Sequence, residues 1–236
     1  MPQSPPERPT VGRWQRFIGR WRSGIQAGNT LSNPFVWFGD IFYINLDDRT
    51  DRRQALEARL SRLGIENICS RFPAISTPYN HHVGCALSHR ALIADARRRE
   101  LKTLLVLEDD VLFHRNTVLL LHEMLRELEG VEWDLLYFGG HTWGKEKAPV
   151  PGCKFLRTPH TITTTHAIAY NHTVFDRLLD ALPATEAAME QWLGRWNGID
   201  QYLSKSPFRK VLANPMIAMQ AELFRQPNPP KRRDFS

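Results

Sequence analysis

Short apolar runs that alternate with helical segments constrain the fold of this chain more than any other feature. IFYINL (41–46) is nearly continuous in apolar residues, as in a strand buried on both faces. Leu56, Leu60 and Leu63 then recur on one helical face, and residues 84–99 show a second helical pattern. Strands that alternate with helices predict an α/β domain, with a mostly parallel sheet flanked by helices. A length of 236 residues suits a single domain of this kind.

The segment TLLVLEDDVLF (103–113) predicts a buried strand that runs into three carboxylates. Because successive side chains of a strand point to opposite faces, Glu108 and Asp110 are expected to project together, with Asp109 on the other side. Ligands of open parallel sheets bind beyond the carboxyl ends of the strands. Two oxygen ligands there can hold Mg²⁺ or Mn²⁺, although solvated acids or a helix-capping aspartate would give the same sequence.

The positive charge of the chain is concentrated at its two ends. The net charge is +6, yet residues 1–36 carry five arginines against one glutamate, and residues 225–236 carry four cations against one aspartate. Residues 37–224 therefore have a formal charge of −1. This near-neutral middle part argues against a nucleic-acid partner. We expect three parts with these boundaries: a Pro-rich, then amphipathic N-terminal segment, one globular domain, and a basic C-terminal tail.

Between residues 12 and 25, apolar residues recur at helical spacing with arginines between them: Trp14, Phe17, Ile18, Trp21 and Ile25. This pattern favours peripheral contact with an anionic membrane surface, although a terminal helix packed on the domain would also show it. The chain has no apolar run near the roughly 20 residues that a membrane-spanning helix needs. It shows no secretory h-region, and its three cysteines are too few for a disulfide framework. We therefore expect a cytoplasmic protein, with any membrane contact at the inner face.

His82, Cys85 and His89 have a spacing that would place them on one face of a helix. They could form a zinc site, or Cys85 could act as a nucleophile with a histidine as its base. A cysteine flanked by Gly84 and Ala86 is more often a small core residue.

Several sequence blocks occur together in an order that belongs to a known family. The most specific blocks are INLDDRTDRR (44–53), GCALSHRALIADA (84–96) and LLVLEDDVLF (104–113). Further agreement comes from RFPAIS (71–76), WDLLYFGG (133–140), TTTHAIAY (163–170), GIDQYL (198–203) and NPMIAMQ (214–220). Over roughly residues 41–220 the chain resembles glycosyltransferase family 25, the lipopolysaccharide-type sugar transferases related to procollagen galactosyltransferase.

The resemblance implies a GT-A-type nucleotide-sugar transferase fold and a metal-dependent, inverting transfer. The expected reaction moves a hexose, with galactose favoured, from a UDP-sugar donor to a hydroxyl of a glycan or lipopolysaccharide-type glycolipid acceptor. Mn²⁺ is favoured over Mg²⁺ as the divalent metal. A transferase that uses UDP-glucose and a catalytically inactive nucleotide- or carbohydrate-binding relative are the alternatives.

The resemblance also implies roles for particular residues. The LEDD block takes the part of a metal-binding D-x-D motif, which makes Glu108 and Asp110 the predicted metal ligands. The predicted donor-binding residues are Asn45, Arg49, Arg53, Ser88, His89 and Asp109. Arginines that follow a strand can pair with diphosphate oxygens, although Arg52 or Arg53 could instead face solvent on the helix.

An inverting transfer needs a general base that takes the proton of the acceptor hydroxyl. Asp200 in the block GIDQYL is the leading candidate, and Asp134 in WDLLYFGG is the reserve. Asp200 would also suit the N-cap of a helix, a role compatible with the first. His141 and Trp143 follow a glycine pair and are predicted acceptor-binding residues, since tryptophan offers a flat apolar face to a sugar ring.

The chain departs from the family pattern at two places. Relatives often have a glutamate just before the glycine–cysteine pair, where this chain has His82 and Val83. A tyrosine usually follows the alanine of the sixth block, where this chain has Ile168. Contacts made by those residues in relatives are in doubt here, so a different acceptor or lower activity is an open alternative.

Overall fold

The computed structural model describes residues 32–143, 148–221 and 235. From Asn33 onward, these residues belong to one compact unit. The segment 12–25, for which membrane contact is predicted, lies outside the described residues, as does the basic tail apart from Phe235. Within the described ranges, no helix is both long and apolar enough to cross a bilayer.

An eight-stranded mixed sheet forms the centre of the described structure. The strands in chain order are β1 (Asp40–Asn45), β2 (Cys69–Pro73), β3 (Thr103–Glu108), β4 (Val111–Phe113), β5 (Leu135–Tyr137), β6 (Ala148–Pro149), β7 (Leu156–Thr158), β8 (Ala167–Asn171), β9 (Lys210–Ala213) and β10 (Ala218–Gln220). The sheet order is β2-β1-β3-β8-β5-β9-β7-β6, while β4 and β10 pair separately. Among the described strands of the large sheet, β7 and β8 run against the other six. The prediction of a mostly parallel sheet is confirmed.

The central strand β3 shows why this sequence forms a covered sheet. Leu104 and Val106 belong to the apolar cluster on one face, and Leu105 and Leu107 belong to the cluster on the other. All four side chains are fully buried. Because both faces are covered, β3 needs apolar residues at successive positions rather than at alternate ones.

Helices cover both faces of the sheet. Those described are α1 (Thr50–Leu63), α2 (His81–Arg98), α3 (Thr117–Leu128), α4 (Phe175–Ala181), α5 (Glu186–Trp196) and α6 (Ile199–Lys205). Leu56 and Leu60 bury one side of α1 in the same cluster as α3, and α2 packs with α4 and α5 in the other cluster. α1 ends at Gly64, whose φ of 68° lies in the left-handed region that glycine favours.

The carboxyl ends of β1 and β3 lie side by side, since Ile44 pairs with Glu108. Directly after β3 the chain turns at Asp109 and Asp110 and enters β4. The loop that leaves β1 leads into α1 at the same edge of the sheet. The topology therefore brings three carboxylates close to the first turns of an arginine-rich helix.

Candidate active site

A cleft of about 260 Å³ opens where the turn after β3 faces the start of α1. Arginines, aspartates and alanines line it: Arg49, Arg52, Arg59, Asp51, Asp109, Asp110, Ala55 and Ala221. Arg52 and Arg59 are seven residues apart on α1 and therefore share one face of that helix. The cleft thus combines guanidinium donors that suit an anion with carboxylates that suit a cation.

Asp109 is held between β1 and α1. Its carboxylate accepts hydrogen bonds from Asn45 Nδ2 at 2.9 Å and from Arg52 Nη1 at 3.1 Å. Asn45 is itself buried, donates to the carbonyl of Arg49 and accepts from Arg71 Nε. Asn45 therefore fixes the loop between β1 and α1 and also orients the carboxylate of Asp109. The predicted donor-site residues Asn45, Arg49 and Asp109 are brought together.

Asp110 carries a buried oxygen, Oδ1, that has no hydrogen-bond partner among the described residues. Burial, followed by the negative charge of Glu108, raises the pKa of Asp110 to about 6. A buried carboxylate oxygen without a donor is costly, and a bound cation would satisfy it. This side chain fits the role of a ligand to a hard divalent cation.

The arginines of the cleft differ in how they are paired. Arg49 forms two hydrogen bonds with Asp51, at 2.8 and 2.9 Å, and Arg52 pairs with Asp109. Arg59 Nη1 is buried and has no hydrogen-bond partner among the described residues. Burial lowers the pKa of Arg59, which the nearby charge of Asp110 opposes. Arg59 and Asp110 therefore have no ion-pair partner within the part of the chain that the structure describes.

Arg53 does not lie with these arginines. Its Nε donates to Glu57 Oε1 at 2.9 Å, and the hydroxyl of Tyr43 donates to the same oxygen at 2.6 Å. Of the pair Arg52 and Arg53, Arg53 was the predicted donor-binding residue. The structure pairs it with Glu57 on α1 and places Arg52 at the cleft instead. Sequence reasoning missed Arg59, although its seven-residue spacing from Arg52 was a usable signal.

Glu108 does not line the cleft as Asp110 does, although its charge acts on Asp110. β3 ends at Glu108, and the turn that follows brings Asp109 and Asp110 to the cleft together. The carboxylate of Glu108 instead accepts a 2.6 Å hydrogen bond from Thr165 Oγ1 and lies 3.6 Å from His89 Nε2. The alternation rule failed here because it holds only while the backbone stays extended.

Ser88 and His89 are fully buried in α2 and do not line the cleft. The hydroxyl of Ser88 donates to the carbonyl of Gly84 at 2.7 Å and accepts from the amide of Ile75 at 2.9 Å. The hydrogen-bonding capacity of Ser88 is thus used within the fold, which corrects its prediction as a donor ligand. His89 Nδ1 lies 2.9 Å from the hydroxyl of Tyr170, so His89 is also oriented from the protein interior.

Cys85 is not poised as a nucleophile. Burial, followed by the negative charge of Glu108, raises the pKa of its thiol well above the ordinary value. A nucleophilic cysteine needs the opposite shift, because the thiolate is the reactive form. Cys85 and His89 do approach each other, and their third neighbour is Glu108 rather than the predicted His82.

Asp200 lies in the first turn of α6 and makes two hydrogen bonds to backbone amides. Its oxygens accept from Gln201 N at 2.8 Å and from Thr164 N at 3.0 Å. Thr164 has a φ of 74°, a strained value for a β-branched residue, and strain of this kind occurs at functional sites. The predicted N-cap role of Asp200 is wrong, because Gly198 is the N-cap of α6 and Asp200 is the second residue of the helix. The charge of Asp200 also acts on the buried Tyr137. Its role as a base stays a prediction.

Asp134, the reserve base, has a structural role. Its side chain is buried and accepts hydrogen bonds from Arg209 Nη2 at 2.8 Å and from Thr173 Oγ1 at 2.8 Å. Burial opposes ionisation, but these bonds outweigh it and lower the pKa of Asp134 to about 2. A carboxylate held so firmly in its ionised form is a poor proton acceptor.

His141 and Trp143 form an edge beside the sheet. The backbone of His141 pairs with Thr163, and the rings of His141 and Trp143 meet edge to face with centroids 5.8 Å apart. Trp143 is 57% exposed, which is unusual for tryptophan. An exposed aromatic face of this kind suits a sugar ring, and the acceptor role stays a prediction.

The sheet, the acidic turn and the arginine cleft define a ligand-binding α/β domain with its site at the carboxyl ends of strands. Residues 79–187 match the family model described as glycosyltransferase family 25 (LPS biosynthesis protein). The resemblance to this family that the sequence blocks predict is confirmed over that range.

Similar proteins carry related names. A glycosyltransferase 25 family member of Drosophila melanogaster is 30% identical over 140 residues, which are 46% of this chain and 22% of the relative. Procollagen galactosyltransferase 1-B of Xenopus laevis is 26% identical over 70% of this chain and 30% of its own length. The human inactive glycosyltransferase 25 family member 3 is 29% identical over 52% of this chain and 26% of its own length. The matched regions span between about a fifth and a third of these relatives.

Among solved structures, a glycosyltransferase involved in the glycosylation of the major capsid of PBCV-1 aligns with a TM-score of 0.48 and 11% identity. The alignment covers 73% of this chain and 79% of that structure.

Proposed function

We propose that this chain is an inverting glycosyltransferase with a GT-A-type domain. It transfers a hexose, with galactose favoured, from a UDP-sugar to a hydroxyl of a glycan or lipopolysaccharide-type glycolipid. One observation carries the proposal: Arg59 Nη1 and Asp110 Oδ1 border the same cleft, and both are buried without a hydrogen-bond partner among the described residues. A nucleotide diphosphate bound with a divalent cation would supply an acceptor for Arg59 Nη1 and a positive charge for Asp110 Oδ1. Its phosphate oxygens would accept from Arg59, and its cation would bind Asp110.

In this proposal, different residues of the cleft bind different parts of the donor. Arg59 and Arg52 donate to the diphosphate, and Arg49 closes the cleft from the loop after β1. Asp110 would hold the divalent cation, with Mn²⁺ favoured over Mg²⁺, and that cation supplies charge neutralisation for the departing diphosphate. Asp109, fixed by Asn45 and Arg52, offers carboxylate oxygens to hydroxyls of the donor.

Asp200 is the general base in this proposal. Two backbone amides orient its carboxylate, so it can accept a proton from an acceptor hydroxyl without first giving up a side-chain ion pair. His141 and Trp143 present the aromatic edge on which an acceptor sugar stacks. Membrane contact through residues 12–25 would bring a glycolipid acceptor to this site, and we retain it as part of the proposal, together with the cytoplasmic location.

The experiment that tests the donor site is thermal unfolding of the full chain with a panel of UDP-sugars, with and without Mn²⁺. A ligand that binds only the folded state raises the melting temperature, so a rise for one UDP-sugar with Mn²⁺ is expected. The rise should disappear in Asp110→Asn and persist in Asp180→Asn, which changes an exposed carboxylate on α4. Folded protein with no response to any UDP-sugar would overturn the proposal.

An inactive relative that only binds nucleotide or carbohydrate is the second candidate. It is favoured by the inactive human family member among the similar proteins and by His82 in place of the usual glutamate. Donor binding without transfer to any acceptor and without hydrolysis of the UDP-sugar would favour this reading. The same panel separates UDP-galactose from UDP-glucose.

A further inference from the structure

A second group of potential metal-ligating atoms lies between the end of β3 and α2. Cys85 Sγ, His89 Nε2 and one carboxylate oxygen of Glu108 all lie within 4.8 Å of one another. Glu108 Oε1 is 4.0 Å from the sulfur and 3.6 Å from the nitrogen. Neither Cys85, His89 nor Glu108 lines the arginine cleft, although the charge of Glu108 acts on Asp110 at its edge.

Two elements of the fold, α2 and β3, carry these three side chains. Cys85 and His89 are four residues apart on α2, so they lie about one helical turn apart on the same face of the helix. Glu108 ends β3 opposite that face. The three ligands therefore come from two rigid elements of the core, which hold a site better than loops do.

The histidine has the orientation and the free atom that a metal site requires. His89 is fully buried, and its Nε2 has no hydrogen-bond partner among the described residues. Its other nitrogen, Nδ1, lies 2.9 Å from the hydroxyl of Tyr170. Metal-ligating histidines almost always use their second nitrogen in this way. Thr165 supplies the matching support for Glu108 through its 2.6 Å hydrogen bond.

We propose that Cys85, His89 and Glu108 form a binding site for Zn²⁺. Sulfur and imidazole ligands favour Zn²⁺ over Mg²⁺ and Mn²⁺, which prefer oxygen alone. Zn²⁺ bonds of ordinary length in a tetrahedral site separate nitrogen from oxygen by about 3.3 Å and sulfur from oxygen by about 3.6 Å. The observed 3.6 and 4.0 Å need to shorten by only a few tenths of an ångström.

Binding has a defined proton balance and a route to solvent. Zn²⁺ displaces the proton of the Cys85 thiol, which passes to solvent, and the resulting thiolate binds the metal. Cys85 and Glu108 are partly exposed, whereas His89 is closed off, so the fourth position faces the accessible side and takes water. The site requires no sugar donor and does not depend on the proposed transferase activity.

The test uses the full chain, stripped of metal and titrated with Co²⁺ and then with Zn²⁺. We expect about one equivalent of Co²⁺ to give the near-ultraviolet charge-transfer absorption of a cobalt–thiolate bond, and Zn²⁺ to abolish it. Cys85→Ser should lose this absorption, and His89→Gln should weaken Co²⁺ binding at least tenfold. Cys153→Ser, which changes a cysteine elsewhere, should behave like the unchanged protein.

The native protein alone keeps the proposal falsifiable if His89→Gln fails to fold. Folded native chain that shows no cobalt–thiolate absorption at a tenfold excess of Co²⁺ overturns the proposal. An absorption that survives Cys85→Ser overturns it as well. Neither result bears on the donor cleft, whose response to UDP-sugars is measured separately.

Discussion

Arg59 and Asp110 border one cleft from opposite elements, α1 and the turn after β3, and each leaves a buried polar atom without a hydrogen bond among the described residues. The charge of Asp110 acts on Arg59, yet the two side chains form no ion pair within 4.0 Å in the described structure. Buried charges that stay apart in this way cost folding free energy. A site that keeps them apart is preorganised for a ligand that carries both signs of charge.

The first prediction concerns Arg59. Arg59→Met should raise the melting temperature of the ligand-free protein, because it removes a partly buried, unpaired charge. It should also weaken UDP-sugar binding at least tenfold, which corresponds to about 1.4 kcal/mol for a charge-assisted contact. Calorimetric titration and thermal unfolding measure the two effects. Arg195→Met, which changes an exposed arginine on α5, should leave both unchanged.

Neighbouring arginines provide a direct comparison between the sequence expectation and the structure. Arg52 binds Asp109 at the cleft, whereas Arg53 binds Glu57. Arg52→Ala should raise the KM for the UDP-sugar about tenfold, because a phosphate contact and the support of Asp109 are lost together. Arg53→Ala should change KM less than twofold. Equal effects of the two variants would contradict the assignment of Arg52 to the cleft.

The fold could be predicted from the sequence because several independent patterns each indicate one helix or strand. Apolar runs such as those of β1 and β3 and the helical pattern that ends at Gly64 each fix an element locally. The family blocks add the order of these elements. Local signals of this kind agree with one another, and that agreement is why the sheet and its covering helices could be predicted.

The site was predicted less completely, because its geometry depends on one turn and on side-chain partners. The turn at Asp109 and Asp110 ends the alternation of β3, and Glu108 bonds to Thr165 rather than lining the cleft. Ser88 was a donor candidate by its block, yet it bonds to backbone inside α2. Sequence spacing contains no information on such tertiary hydrogen bonds, so the residue types were found and some of their roles were not.

Asp110 should reduce the stability of the metal-free protein at neutral pH. Its raised pKa, about 6 against an ordinary 3.8, means that folding disfavours the ionised form. Stability is therefore lost as pH rises from about 4 to about 6. Asp110→Asn should melt about 2–4 °C higher than the unchanged protein at pH 7.5 without metal. At pH 4, where Asp110 is largely protonated in the folded protein, most of this difference should vanish.

Asp134 should show the opposite dependence on pH. Its pKa is lowered to about 2, chiefly because Arg209 outweighs the effect of burial. The stability that this pair contributes is present above pH 4 and is lost as pH falls through about 2. Asp134→Asn should cost about 3 kcal/mol at pH 7, since it leaves Arg209 without its buried partner. Urea unfolding at pH 7 and pH 3 measures the free energy of unfolding that Asp134→Asn loses. A loss at pH 3 that is no smaller than the loss at pH 7 would contradict the role of the ionised Asp134.

Asp200 combines a structural and a proposed chemical role, and the two can be separated. Asp200→Asn keeps one side-chain oxygen that can accept from Thr164 N or Gln201 N, so the start of α6 should survive with a loss of about 1 kcal/mol. An amide cannot take the proton of the acceptor hydroxyl, so kcat for transfer should fall by about 10²–10⁴. The affinity for the UDP-sugar should stay within twofold of the unchanged protein, because Asp200 does not line the arginine cleft. Steady-state kinetics on a verified acceptor, with donor binding measured by calorimetry on the same samples, separates these quantities. A loss of transfer that follows the loss of folded protein, rather than exceeding it, would assign Asp200 to a structural role alone.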